Sequence, residues 1–222
     1  MRMRAYWVRK QTEMKNKIRT LLALQREDIR LEVEKRESGL FSLKGLEFVA
    51  RLPLETREKE VLEDLLKGYQ EIQTHIKTSV GMVNGIYGEI EEASWIDTVP
   101  GFAKMLSVLV AVEIAHVKRF PGTAELHSYA GVIPSTYSSG QRAHHGHITK
   151  QGSSWLRWAA LEAVHPAIKK DPVLRTFCSR LARRKGPNVA KIAVARRLLT
   201  IIYRMLTEKR DYLPGLMKQS AA

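Results

Sequence analysis

A single cysteine in 222 residues excludes an internal disulfide. Cys178, inside Leu174-Arg-Thr-Phe-Cys-Ser-Arg-Leu181, is expected to pack rather than react, and a lone thiol fits a reducing compartment. Long apolar runs are also missing. The longest, Met105 to Val112, is interrupted by Ser107 and is far too short to cross a bilayer. The amino terminus, Met1-Arg-Met-Arg-Ala-Tyr-Trp-Val-Arg-Lys10, has no apolar core of the kind a secretory leader carries. The expectation is a soluble, cytoplasmic, nucleoid-associated protein with no membrane partner. No stretch shows strand-period alternation and none shows βαβ alternation, so the chain reads as mainly α. Acids are scarce in the second half: from Gln141 to Arg210 they are Glu162, Asp171 and Glu208 alone.

What the chain has instead is positive charge. Lys and Arg total 37 against 23 Asp and Glu, a net charge of +14. An excess of this size attracts polyanions at long range and says little about fold, so nucleic acid is the favoured partner. With 44% hydrophobic side chains the chain can bury a core in one domain with an extension, or in two small domains.

Helical spacing organises the first half. Met14, Ile18 and Leu21 line one face of a helix expected over Tyr6 to Arg36, and Ser42 to Arg51 reads as a short helix closed by Pro53. Leu62, Leu65, Tyr69, Ile72 and Ile76, resumed by Val83, Ile86 and Ile90, form a heptad seam, the pattern of a coiled coil or antiparallel helical hairpin. Pairing within the chain or between chains would satisfy it, and Gly81, Gly85 and Gly88 predict a bend or fraying there. The expected domains are a helical hairpin over 1–94, a compact helical domain over 95–213 and a tail over 214–222.

Thr98-Val-Pro-Gly-Phe-Ala103 turns straight into the apolar stretch Lys104 to Ile114. A turn that opens a helix offers unpaired N–H groups to a phosphate oxygen, and this one resembles a helix-hairpin-helix turn, with Gly101 as the DNA-facing residue and Ala103 where a second glycine is usual. A short helix from Gly122 to Tyr129 is followed by the segment Val132 to Ser154, a hydroxyl- and glycine-rich loop with basic side chains. A serine that attacks a phosphodiester needs such cations and backbone donors to hold the phosphate and stabilise its developing charge. Ser153 or Ser154 caps the next helix, on which Trp155 and Trp158 share a face expected in the core; Pro172 starts another helix. The basic Arg183-Arg184-Lys185 turn leads into a last helix from Asn188 to Glu208, with Ile192, Leu199, Ile202 and Leu206 as its buried face and Arg196 and Arg197 projecting elsewhere; these five cations are read as DNA-binding. His144, His145 and His147 are close enough to suggest a transition metal, yet no acid or thiol lies near them in sequence. No metal site is assigned, and partly protonated His144 and His145 are read as DNA-facing.

The order of these motifs is recognisable. Val99-Pro-Gly-Phe, Arg119-Phe-Pro-Gly, Leu126-His-Ser-Tyr-Ala-Gly-Val-Ile-Pro134, Tyr137-Ser-Ser-Gly140, Gly146-His-Ile-Thr-Lys-Gln-Gly152, Trp155-Leu-Arg157 and Ala190 to Leu199 together resemble the carboxyl-terminal domain of the insertion-sequence 116/110/902 transposases, over about Ile96 to Tyr212. The resemblance implies a DNA recombinase that moves a mobile element. It makes Ser139 the nucleophile, with Ser138 its neighbour, and it gives Arg142, Lys150 and Arg157 a phosphate-holding role. It also implies an RNase H-like amino-terminal domain whose acids bind Mg2+, a guide RNA from the element, and a homo-oligomer formed through the helical hairpin. Nothing before Lys15 matches that acidic domain, so no cofactor is assigned to this chain, which reads as the serine-bearing half of such an enzyme. The alternative is a catalytically inactive DNA- or RNA-binding and dimerisation module left by truncation.

Overall fold

A computed structural model of the chain describes residues 1–139 and 142–214, with 136–139 and 142–145 described by backbone alone. The chain is mainly α and forms two compact units, Met1–Met82 and the remainder from Val83. Among the described residues no helix is long and apolar enough to cross a membrane.

In the first unit, α1 (Arg2–Ala23) is followed by α2 (Glu27–Glu34), α3 (Leu43–Ala50) and the long α4 (Thr56–Tyr87). The heptad seam is filled within this one chain: Trp7 stacks on His75 at 4.2 Å, and Lys15 sits 5.9 Å over the Tyr69 ring, so α1 and α4 run antiparallel. Ile18, Leu22, Leu40, Val49, Leu62, Leu66 and Tyr69 make its core. Burial of each such Leu or Ile contributes about 1.5–3 kcal/mol. Two expectations are corrected here. The first helix does not reach Arg36, because the chain breaks at Leu24–Arg26, where Gln25 Nε2 donates to the Leu21 carbonyl and α2 restarts with Glu27 and Asp28 in its first turn. Acids there favour a new helix start through the dipole, but no Gly or Pro marks the break. Nor does the helix fray at Gly81 or Gly85: α4 is helical to Tyr87, with Val83 buried and Ile86 exposed.

The second unit contains α5 (Glu91–Asp97), α6 (Lys104–Ile114), α7 (Thr123–Ala130), β1 (Pro134–Ser139), β2 (Arg142–Ile148), α8 (Ser154–Lys170), α9 (Pro172–Lys185) and α10 (Pro187–Glu208). Its core is centred on α10, whose Ala190, Val194, Leu198, Leu199, Ile202 and Met205 are fully enclosed and which packs on α5, α7, α8 and α9. The alanine face of α8 (Ala159, Ala160, Ala163, Ala167) brings neighbouring backbones close. Local chemistry fixes the starts: Ser153 Oγ accepts from the Leu156 N–H at 3.1 Å, and Asp171 accepts from Val173 and Leu174 N–H groups ahead of Pro172.

The segment read as a loop is instead an antiparallel two-stranded ribbon, which also corrects the absence of strands. Its pairing slips by one residue between Pro134, opposite Ile148, and Thr136, opposite His145. Pro134 has no N–H to give to a ladder, and a bulge beside it is the usual accommodation. Trp155 and Trp158 meet edge to face at 6.2 Å, but Trp158 is 39% exposed, so that pair lies on the surface rather than in the core.

Candidate nucleic-acid interface

The carboxyl end of α9 and the start of α10 concentrate positive charge. Arg183, Arg184 and Lys185 form the exposed last turn of α9, where cations complement the helix dipole. Gly186 and Pro187 then redirect the chain. In α10 there is no side-chain cap and no acid in the first turn, so the Asn188 and Val189 N–H groups have no intrahelical acceptor. Asn188, Val189, Ile192, Ala193 and Arg196 recur at helical spacing and present one face of α10.

That face is one wall of a cleft of about 560 Å³. The other wall is the base of the ribbon, Pro134 with Gly146, His147 and Ile148, joined by Val132 and Lys150, and Lys185 closes one end. Among the described residues no carboxylate lines this cleft. Lys150, Lys185 and Arg196, three residues expected to face DNA, are therefore brought together, whereas sequence reasoning missed Asn188 and Val189 and assigned Ile192 to the core. Ile192 is half-buried and lines the cleft. The signal that could have revealed it is the i, i+4 spacing of Ile192 and Arg196 behind a helix start that carries no acid.

The loop carrying Lys150 is held by backbone bonds to the end of α7. Thr149 N–H donates to Ile133 O at 2.9 Å, Lys150 N–H to Gly131 O at 3.2 Å and Ser153 N–H to Tyr129 O at 2.7 Å. Lys150 itself has φ of 55°, and Gly152 has φ of 89°. A Cβ at Gly152 would lie 2.1 Å from the Tyr129 carbonyl oxygen, so glycine is required there on two grounds.

The remaining expected residues are placed elsewhere. Arg157 is half-buried and its Nη1 donates to the Ala130 carbonyl at 2.8 Å, tying α8 to the end of α7. Arg197 stacks over the Phe177 ring at 4.1 Å, and burial, then the neighbouring Arg180, lowers its pKa from the usual value. Gly101 has φ of 99° and packs on the α8 backbone, where a Cβ would come within 2.6 Å of Ala163 O. It faces a separate cavity lined by Asp97, Lys170, Asp171 and Tyr212, whose hydroxyl donates to the Asp171 carboxylate. Ser138, Ser139, Arg142, His144 and His145 lie on the ribbon, and their side chains are outside the described part of the structure. In the backbone register Ser139 is paired with Arg142, Ser138 with Ala143, Tyr137 with His144 and Thr136 with His145. Among the described residues no group of three or more His, Cys, Asp or Glu could hold a metal ion.

Behind the cleft, His127 of α7 is buried, with Nε2 3.0 Å from Thr200 Oγ1. Burial, and then the positive charge of Arg196, lowers its pKa below the ordinary 6.5. The folded state thus prefers neutral imidazole, while the unfolded chain takes up a proton near pH ~6.5. This contribution to stability is complete above that pH and is lost as pH falls through it toward the depressed folded value. Thermal unfolding followed from pH 7.5 to 5.0 is expected to show that loss, and His127→Gln is expected to flatten it.

Residues 93–179 match the Transposase IS116/IS110/IS902 family. The chain is 30% identical over 118 residues to the "Insertion element IS110 uncharacterized 43.6 kDa protein" of Streptomyces coelicolor, a match covering 53% of this chain and 29% of that protein. It is 21% identical over 220 residues to a "Probable family 20 transposase" of Pseudomonas aeruginosa (96% and 64%), and 27% identical over 158 residues to the "Pilin gene-inverting protein" of Moraxella bovis (69% and 49%). The chain thus spans between 29% and 64% of the length of these curated relatives. What the chain is similar to over residues 93–179 is thus the Transposase IS116/IS110/IS902 family.

Proposed function

We propose that this chain is the serine-bearing part of a DNA strand-exchange recombinase that moves an insertion sequence. The observation that supports it best is the ribbon: Ser139 and Arg142 are paired at its far end, and its base walls a cationic cleft free of carboxylates. Ser139 Oγ attacks phosphorus of a phosphodiester and gives up its proton as the Ser–O–P bond forms. The P–O bond to the leaving strand breaks, and the leaving oxygen takes up a proton to become a hydroxyl. The phosphoseryl ester retains the bond energy, so a hydroxyl of a second strand can reverse the step and rejoin DNA without an external energy source. Cations around the reacting phosphate stabilise the charge that accumulates on its oxygens. Mg2+, which the family resemblance assigns to an acidic domain outside the matched region, finds no cluster of three or more acidic, His or Cys side chains among the described residues, and no step here runs through it.

The test is to incubate the chain, with the rest of a relative supplied in trans, with end-labelled DNA of an element end. Label that stays with protein through denaturing electrophoresis and is released by protease supports the reading; its absence under conditions where strand exchange proceeds refutes it. Binding is tested separately. Wild-type DNA affinity is expected to fall log-linearly with salt, and Lys150→Glu combined with Lys185→Glu is expected to make that slope shallower by about 2, since each lost contact to duplex phosphate removes about 0.9. A flat wild-type response in fluorescence anisotropy would sink the DNA-facing assignment.

A further inference from the structure

The cleft between the ribbon and α10 is more apolar than phosphate binding requires. Its floor is Val132, Pro134, Ile148, Val189, Ile192 and Ala193, while Lys150, Lys185 and Arg196 supply its charge. A phosphate alone would leave the hydrocarbon wall facing water, and an apolar ligand would leave three cations unused in a cleft without a carboxylate. A duplex offers only outward phosphates, because its bases are stacked inside. A nucleotide turned out of the stack satisfies both halves, and a volume of about 560 Å³ admits one base with its sugar and phosphate. Asn188, with an amide that both donates and accepts, also lines the cleft and offers a base edge a partner. Unpaired N–H groups of Asn188 and Val189 add to the attraction for the phosphate.

We propose that this cleft takes one unstacked nucleotide of a DNA strand, its base against Ile148, Val189 and Ile192 and its phosphate among Lys150, Lys185 and Arg196. The inference rests on the DNA-binding part of the proposed function and adds that the protein engages unpaired DNA beside the ribbon. Extrusion exposes the adjoining backbone, which is what an attacking hydroxyl on the same ribbon needs.

Fluorescence anisotropy on the full chain tests it with three labelled probes of equal length: a single DNA strand, the same backbone with abasic sites throughout, and a duplex. The single strand is expected to bind about tenfold more tightly than the abasic strand, the order of preference that one sequestered base provides. Ile192→Trp, which fills the apolar side of the cleft without removing charge, is expected to abolish that preference. Should Ile192→Trp fail to melt cooperatively, Val189→Phe serves the same purpose, and the wild-type comparison needs no variant. Equal affinity for abasic and normal strands overturns the inference while leaving DNA binding intact. Failure of all three probes to bind overturns DNA binding itself. Tighter binding of an equal-length RNA strand, lost on Ile192→Trp, would overturn the assignment to DNA.

Discussion

Ser139→Ala is expected to eliminate the covalent protein–DNA adduct while leaving equilibrium DNA affinity nearly unchanged. On the proposed mechanism the two readouts separate, because the hydroxyl would act only in the chemical step while cations and backbone donors elsewhere would hold phosphate. Losing a serine nucleophile lowers turnover by up to about 10⁶-fold, which places any residual adduct below detection on a gel. Ser138→Ala is the informative companion. The two serines occupy successive register positions on β1, opposite Ala143 and Arg142 respectively, and successive strand residues point to opposite faces. Adduct formation that survives Ser139→Ala but disappears in Ser138→Ala would move the nucleophile to the other face. Survival in both would leave the chain a binding module. The measurement is a label-transfer gel with each variant, paired with anisotropy to show that both still bind.

Gly152→Ala carries the largest expected effect on stability. The new methyl would sit 2.1 Å from the Tyr129 carbonyl oxygen at a φ of 89°, so steric overlap and backbone strain act together. A loss of about 3 kcal/mol or more is expected, beyond the range of ordinary surface changes. The strain can be relieved only by moving the loop away from α7, which breaks the Ser153–Tyr129 and Lys150–Gly131 backbone bonds and displaces Lys150 from the cleft. DNA affinity should therefore fall with stability. Chemical denaturation followed by circular dichroism gives the first quantity and anisotropy the second. Gly81→Ala is the control: a Cβ there meets nothing within 4 Å, and in a helix interior it is expected to stabilise α4 by about 1 kcal/mol. A Gly152→Ala protein as stable as wild type would mean that the loop is not held as described.

Much of the helical framework was legible because its signals are local. Ser42, Ser153 and Pro172 mark helix starts with side chains or ring geometry that act within three residues. The seam of α4 was legible for the same reason, since Leu62, Tyr69 and Ile72 repeat at the helical period. The ribbon was not, because its strands are polar on both faces and lack the alternation that burial of one side imposes; its pairing comes from backbone bonds, which leave no compositional trace. The break at Gln25 was equally silent. At the candidate site, sequence identified the cations but not their company. Arg196 and Arg197 are neighbours in the chain, yet a turn of 100° per residue sends one into the cleft and the other onto Phe177. Arg157 reads as one more phosphate ligand until its partner, the Ala130 carbonyl, is seen from a distant part of the sequence.

The central position of α10 has a consequence for biosynthesis. Every helix it touches, α5, α7, α8 and α9, leaves the ribosome before it does. Until α10 emerges, the parts of their apolar faces that pack on it stay wet. The second unit therefore completes its core only after α10 has been made, and a nascent chain stalled earlier is a client for chaperones.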